Sequence, residues 1–178
     1  QVIDLEELAS HRGSTFGAIG MNPQPTVETF ENNLFSAISK IDPKRKVWIE
    51  AESRSIGRVF IPAPLWEQME AAPFYRLQVP FEVRVQRLVI DYGNFPKEIL
   101  QEALDRIKKR LGGLDHKNAS EALQTGDMAE FIRMALRYYD KAYIHPLEKR
   151  KLEEVISVPC ESGDPEANAK RILEIINS

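Results

Sequence analysis

Val2-Ile3-Asp4-Leu5-Glu6-Glu7-Leu8-Ala9-Ser10-His11-Arg12-Gly13-Ser14-Thr15-Phe16-Gly17 is the most informative stretch of the chain. A short apolar run, read as a buried strand over 2–5, meets one acid at Asp4 and a second at Glu6. A loop then places an imidazole, a guanidinium, two glycines and two hydroxyls within seven residues. A strand that stops at a carboxylate and opens into a Gly/Ser/Arg loop is the usual geometry of a site at the carboxyl edge of a parallel sheet. Gly13 and Gly17 would let the backbone approach an anion, and Arg12 would fork onto phosphate oxygens. The competing reading is plainer: Asp4 caps a helix, and a polar turn follows.

Working outward, Thr26 is a natural N-cap for a helix with Val27, Phe30, Leu34, Ile38 and Ile41 at helical spacing. Asp42-Pro43-Lys44 turns the chain, and Lys46-Val47-Trp48-Ile49-Glu50 reads as a second strand ending in carboxylates. Glu50 and Glu52 share a parity if that strand continues. They are either site carboxylates beside Arg54 and Gly57 or plain solvent-facing acids. A short helix is expected over Leu65–Met69 and a third strand over Tyr75–Val79. Arg84 and Arg87, at i and i+3, share a helix face, with surface ion pairs to Glu82 or Asp91 as the alternative to an anion site.

Beyond Pro96 the pattern is helical. Ile99, Leu100, Ala103, Leu104, Ile107 and Leu111 form a stripe stopped by Gly112-Gly113. Asn118-x-x-Glu121 and Asp127-x-x-Glu130 resemble capping boxes, and the second opens a helix with Phe131, Ile132, Ala135 and Leu136 on one face. His145-Pro146 is read as interrupting the next helical stretch. Val155–Pro159 reads as a last strand. Asp164-Pro165 starts a terminal helix with Ala169, Ile172, Leu173 and Ile176 as its core face. Strand–helix alternation with a helical insertion at about 97–150 points to a doubly wound, mostly parallel α/β sheet in a single domain over 1–178.

Composition narrows the function classes. With 43% hydrophobic residues in 178, the chain has material for a sizeable core. No apolar run approaches the ~20 residues of a membrane span, so no membrane partner is expected. A net charge of −3 gives no general attraction to polyanions, so RNA contacts must come from local patches. Arg106-x-Lys108-Lys109-Arg110 and Lys149-Arg150-Lys151 are the two candidates, each otherwise a solvated helix face. Tyr138-Tyr139 could stack on a base, although the spacing makes Tyr139 a core residue first. Cys160 is the only cysteine. It excludes an internal disulfide, suits a reducing, cytoplasmic setting, and has no Cys/His partner at zinc-ligand spacing, so no metal ligand set is expected.

Several of these segments also carry a family resemblance. Asp4-Leu-Glu6, Leu8-Ala9-x-His11-Arg12-Gly13-Ser14-x-Phe16-Gly17, Pro23-Gln24-Pro25 with Phe30-Glu31-Asn32, Trp48-Ile49-Glu50-Ala51-Glu52-Ser53-Arg54-x-Ile56-Gly57 and Tyr138-Tyr139-Asp140 occur in this order. The chain thereby resembles the bacterial tRNA 2-selenouridine synthases. The resemblance implies a P-loop NTPase/kinase-type fold whose first strand and Walker A loop lie upstream, behind a rhodanese domain with the catalytic cysteine. The sequence given contains no G-x-x-x-x-G-K-[ST], so it is read as a fragment, expected to be inactive alone.

The resemblance further implies a transferase that converts wobble 2-thiouridine of tRNA to 2-selenouridine through an S-geranyl intermediate. Geranyl diphosphate and selenophosphate are its co-substrates. On that reading a pyrophosphate leaving group needs cationic and amide donors. Arg12, the Gly13 and Ser14 amides, Gly17, Arg54, Arg84 and Arg87 would supply them, with His11 as general acid or loop brace. Asp4 or Glu50 would orient these arginines or hold a magnesium ion through water, and Glu6 and Glu52 are counted with them as cofactor-binding residues. Lys108, Lys109, Arg110, Lys149 and Arg150 would contact the tRNA. Phe16, Ile56 and Trp66 are weak candidates for an apolar prenyl groove. The kinase-like order of the later strands and arginines suggests a small-molecule phosphotransferase as one alternative; a non-catalytic RNA-binding module is the other.

Overall fold

In a computed structural model the described residues are 1–148 and 155–177, with side chains described to 142 and from 155 to 176. They fall into two compact units, Gln1–Ala72 and Pro73–Ser178.

The first unit begins with β1 (Val2–Ile3), which pairs in parallel with β2 (Trp48–Ile49) in the register Val2↔Trp48 and Ile3↔Ile49. The strand is shorter than the sequence suggests, because Asp4 caps α1 (Leu5–Ala9) and accepts from Glu7 N at 2.7 Å. A capped first turn overrides the apolar run, so Leu5 faces the core from a helix and Glu6 lies in that helix. Ser10 ends α1 in a left-handed conformation. The plainer reading of this stretch, cap and turn, is therefore the one the backbone adopts.

α2 (Val27–Ile38) starts where Thr26 predicts, with Thr26 Oγ1 accepting from Thr29 N at 3.2 Å. Its Phe30 and Leu34 join Ile3, Leu5, Ile56 and Ile61 in one core. Each fully buried side chain of this size contributes about 1.5–3 kcal/mol relative to exposure. β2 is followed by an antiparallel hairpin of β3 (Ser55–Ile56) and β4 (Val59–Phe60), turning at Gly57. Glu52 lies outside the strands, so strand parity does not relate it to Glu50. α3 (Ala63–Ala71) completes the unit, and Trp66 packs against the core.

The second unit pairs β5 (Phe74–Gln78) with β6 (Val155–Pro159), parallel from Phe74↔Val155 to Gln78↔Pro159. Between them run α4 (Phe81–Tyr92), α5 (Lys97–Leu111), α6 (Gly113–Thr125) and α7 (Met128–Glu148). Leu100, Ala103, Leu104 and Ile107 of α5 are buried, whereas Ile99 is 43% exposed at the stripe's edge. Gly112, at φ 95°, lets α6 begin one residue after α5 ends. Asn118 consequently lies inside α6 and is not a cap. Asp127 does cap α7, accepting from Glu130 N at 3.0 Å. α7 runs through Pro146, where the sequence suggested an interruption.

α8 (Pro165–Asn177) follows β6, with Asp164 accepting from Glu166 N at 3.2 Å. Its expected core face is only half realised: Asn168 is buried, while Ala169 and Leu173 are exposed. The described strands thus form three two-stranded sheets, two parallel and one antiparallel. The α/β character and parallel pairing match the sequence reading; one continuous doubly wound sheet is absent among the described residues.

Candidate functional site

The loop after α1 is held by its own polar groups. Arg12 N donates to Gly17 O at 3.0 Å, Ser14 N to Arg12 O at 2.7 Å, and Gly17 N to Ser14 O at 2.8 Å. Gly13 N donates to His11 Nδ1 at 3.1 Å, and Ser14 Oγ accepts from Phe16 N at 3.2 Å. The amides expected to face an anion are therefore engaged inside the loop, because a tight turn has few other acceptors for them. Arg12 differs: its side chain is exposed and forms no ion pair among the described residues.

Two of the expected site residues prove to brace this loop. His11 is 9% exposed, and burial holds its imidazole below the ordinary pKa, so the neutral ring predominates at neutral pH. A ring that accepts at Nδ1 and stays neutral carries its proton on Nε2. This favours a brace over a general acid. Gly17 is packed so closely that a Cβ would lie 2.9 Å from the Arg12 backbone and from Ser14 O.

The carboxylates divide by role. Glu50 accepts from Leu5 N at 2.9 Å and from Glu6 N at 3.5 Å, while Asp4 takes Glu7 N. Together they satisfy the free amides of the first turn of α1. Glu6 and Glu52 meet as a carboxyl pair. Burial first, and then the neighbouring Glu6 charge, push Glu52 from 4.5 to about 7, so its proton bridges to Glu6. Glu6 is raised by burial and by Asp4, and Glu50 chiefly by burial. Gly13 lies against Glu52, where a side chain would run into the carboxylate. Among the described residues no group of three or more His, Cys, Asp or Glu is arranged to hold a metal ion. The magnesium expectation on Asp4 and Glu50 thus meets carboxylates already occupied by helix amides.

Sequence reasoning missed Gln24. Its Nε2 donates to Ala9 O at 3.1 Å and Ile56 O at 3.0 Å, and its Oε1 accepts from Arg58 N at 3.0 Å. Gly57, at φ +60°, has no room for a side chain against it. An amide between two prolines in a matched motif was the available signal. Arg54 is exposed, whereas Phe16 and Ile56 are buried and Trp66 packs on the core.

In the second unit Arg84 does not stand free. Nη1 and Nη2 donate to Asp140 at 2.6 and 2.8 Å, and the guanidinium lies 5.6 Å from the Phe81 ring centroid. Arg84 Nε is buried without a hydrogen-bond partner among the described residues. Arg87 is looser, 3.5 Å from Asp91 and 3.3 Å from Gly163 O. Glu82 pairs with Arg133 at 3.0 Å rather than with either arginine. Both arginines border an open cavity of about 560 Å³. Lys108, Lys109 and Arg110 are exposed in the last turn of α5, where cations complement the helix dipole. Lys149 and Arg150 lie outside the described residues. Tyr138 and Tyr139 contact each other edge-to-face at 5.0 Å.

The fold and sites so far define an α/β protein with a braced, arginine-bearing loop and a second arginine pair beside a cavity. The model of the tRNA 2-selenouridine synthase AAA domain matches residues 1–166, and the chain belongs to that family. It is 32% identical to a tRNA 2-selenouridine synthase of Shewanella frigidimarina, over 84% of this chain and 49% of that protein. A namesake from Sulfurovum sp. is 32% identical over 83% of this chain and 48% of its own length. One from Shewanella oneidensis is 30% identical over 84% and 48%. The chain spans about half the length of these curated relatives. No solved structure matches it. No described helix is long and apolar enough to cross a membrane.

Proposed function

We propose that this chain is the diphosphate- and RNA-binding region of a tRNA-modifying transferase that turns wobble 2-thiouridine into 2-selenouridine through an S-geranyl intermediate. The observation that carries the reading is Arg12: an exposed guanidinium with no ion pair among the described residues, close enough to Glu6 to lower its pKa, on a loop whose Arg12, Gly13, Ser14, Phe16 and Gly17 amides are bonded within it. In the geranylation step the nucleoside sulfur attacks the allylic carbon, a C–S bond forms, and the C–O bond to diphosphate breaks. Negative charge develops on the departing pyrophosphate, where a fixed cation is most useful. Arg12 and Arg54, both exposed, are the donors in the first unit. In the second, Arg87 carries a loosely held guanidinium beside a cavity.

The fuller reading adds a P-loop-type, doubly wound fold. On that reading a further strand and the Walker A loop come from elsewhere in the protein. This is supported by the parallel pairing in each unit and by the relatives' double length. Selenophosphate as selenium donor, a magnesium ion, a rhodanese domain and tRNA contacts at Lys108, Lys109 and Arg110 belong to the same proposal. Equilibrium binding of geranyl diphosphate, ATP and thiolated tRNA to the intact protein tests it. Binding of prenyl diphosphate and thiolated tRNA is expected. ATP binding with phosphoryl transfer to a small molecule would instead favour a phosphotransferase.

A further inference from the structure

Gln24 stands where three segments of the first unit meet. Its Nε2 donates to Ala9 O at the end of α1 and to Ile56 O in β3, while its Oε1 accepts from Arg58 N in the turn to β4. The amide is thus committed to backbone on both sides, and Pro23 and Pro25 restrict the chain that presents it. Gly57, at φ +60°, packs against the same amide and leaves no room there for a Cβ. One side chain therefore fixes the start of the Arg12 loop relative to the β3–β4 hairpin.

A second contact joins the same two segments. Gly13, one residue beyond Arg12, lies against the Glu52 carboxyl, two residues before Arg54. Ala9 is tied to Ile56 through Gln24, and Gly13 meets Glu52, so the two segments run past each other in opposite directions. Arg12 and Arg54 lie between these two contacts. Both backbones are fixed: Arg12 N donates to Gly17 O, Arg12 O accepts from Ser14 N, and Arg54 O accepts from Ile61 N at 2.9 Å. Both side chains are exposed and form no ion pair among the described residues. Fixed backbones that carry uncommitted guanidinium groups suit an anion that both can reach.

We infer that Gln24 is a positioning residue: it sets the separation of Arg12 from Arg54, and with it the grip of the pair on a phosphate-bearing anion. The inference rests on Arg12 as the anion donor of the proposed function and adds the residue that places it. Gln24 acts through the backbone of Ala9 and of the hairpin, not by touching the anion. Without it the two segments keep only the Gly13–Glu52 contact, and the loop is free to shift. A displacement of about 1 Å is enough to spoil a shared grip.

The test is a double-mutant cycle in the intact protein, read by calorimetric binding of inorganic pyrophosphate at a temperature where every variant is folded. Arg12→Ala and Arg54→Ala should each weaken binding. Gln24→Met, which keeps the length and removes all three hydrogen bonds, should weaken it about tenfold. In the Arg12→Ala background the same change should cost less than about twofold, because the group that Gln24 places is already gone. An equal loss in both backgrounds, or a lower melting temperature with unchanged pyrophosphate affinity, makes Gln24 structural alone. Either result overturns the inference and leaves Arg12 its role, as does Arg54→Ala with unchanged affinity. Binding that Arg12→Ala leaves unchanged removes Arg12 as an anion donor, and the inference falls with it. Should Gln24→Met fail to fold, Gln24→Asn takes its place: its amide is one methylene too short to reach all three partners, and the same cycle decides.

Discussion

Arg84 on α4 and Asp140 on α7 lie fork to fork, two nitrogens on two oxygens at 2.6 and 2.8 Å. The pair joins two helices 56 positions apart in sequence, and the hydrogen bonds to Asp140 hold the guanidinium above its ordinary pKa. Both side chains are about a third exposed, which discounts the interaction. Arg84→Ala is expected to cost about 1–2 kcal/mol of stability, and Arg84→Lys to recover little of it because the fork is lost. A double-mutant cycle with Asp140→Ala, read by denaturant midpoint, measures the coupling. A coupling near zero would return Arg84 to a purely ligand-binding role.

Glu52 makes stability depend on pH. The folded chain holds its proton to about pH 7, whereas an unfolded one releases it near 4.5. The folded state therefore binds more protons between these values, and this group's contribution to stability falls as pH rises from 4.5 to 7, then stays level. Glu6 and Glu50, also raised, act in the same direction. Glu52→Gln should flatten the slope and melt higher than the parent at pH 8. Thermal melts across pH 4.5–8 check this; parallel curves for both proteins would contradict it.

Gln24 is expected to be a structural tie whose loss loosens the loop. Gln24→Ala leaves the Ala9 and Ile56 carbonyls and the Arg58 amide without their partner, at a cost of about 1–3 kcal/mol. Hydrogen exchange should rise at Arg58, whose amide Gln24 protects. An unchanged melt and exchange pattern would mean that water replaces the amide.

Arg12 should matter for transfer and not for folding. Arg12→Ala is expected to lower geranyl transfer by about 10²–10³, with the melting temperature unchanged, and Arg12→Lys to rescue poorly. Steady-state assays beside a thermal melt separate the two effects. A large loss of stability in Arg12→Ala would place the residue in the fold instead.

Lys108, Lys109 and Arg110 are predicted to contact the tRNA backbone. Replacing all three by Gln should weaken tRNA binding and lower the salt dependence by roughly 0.7–0.9 log unit per lost phosphate contact. Titrations from low to physiological salt read the slope, and an unchanged slope would leave these residues as a solvated helix end.

Local chemistry made much of the fold legible. Thr26, Asp127 and Asp164 cap helices as their side chains allow, and Val155–Pro159 forms a strand of the expected length. A cap, a proline or a β-branched run acts within one or two turns, so its effect can be read in order along the chain. The ordered motifs likewise indicated the family. Asp4 shows where local reading was ambiguous: the same residues permit a strand end or a helix cap, and Glu50, 45 positions away from Leu5, stabilises the cap.

What only the tertiary structure decided were the partners. Arg84 with Asp140, Glu6 with Glu52, and Gln24 with Ala9, Ile56 and Arg58 are separated by 15 to 56 residues, and no spacing rule relates them. The same holds for the cavity, whose aliphatic walls come from four elements, each showing only ordinary core periodicity in sequence. Free arginines and engaged ones look alike in a string of letters. Burial and hydrogen-bond competition, which exist only once the chain is packed, distinguish Arg12 from Arg84.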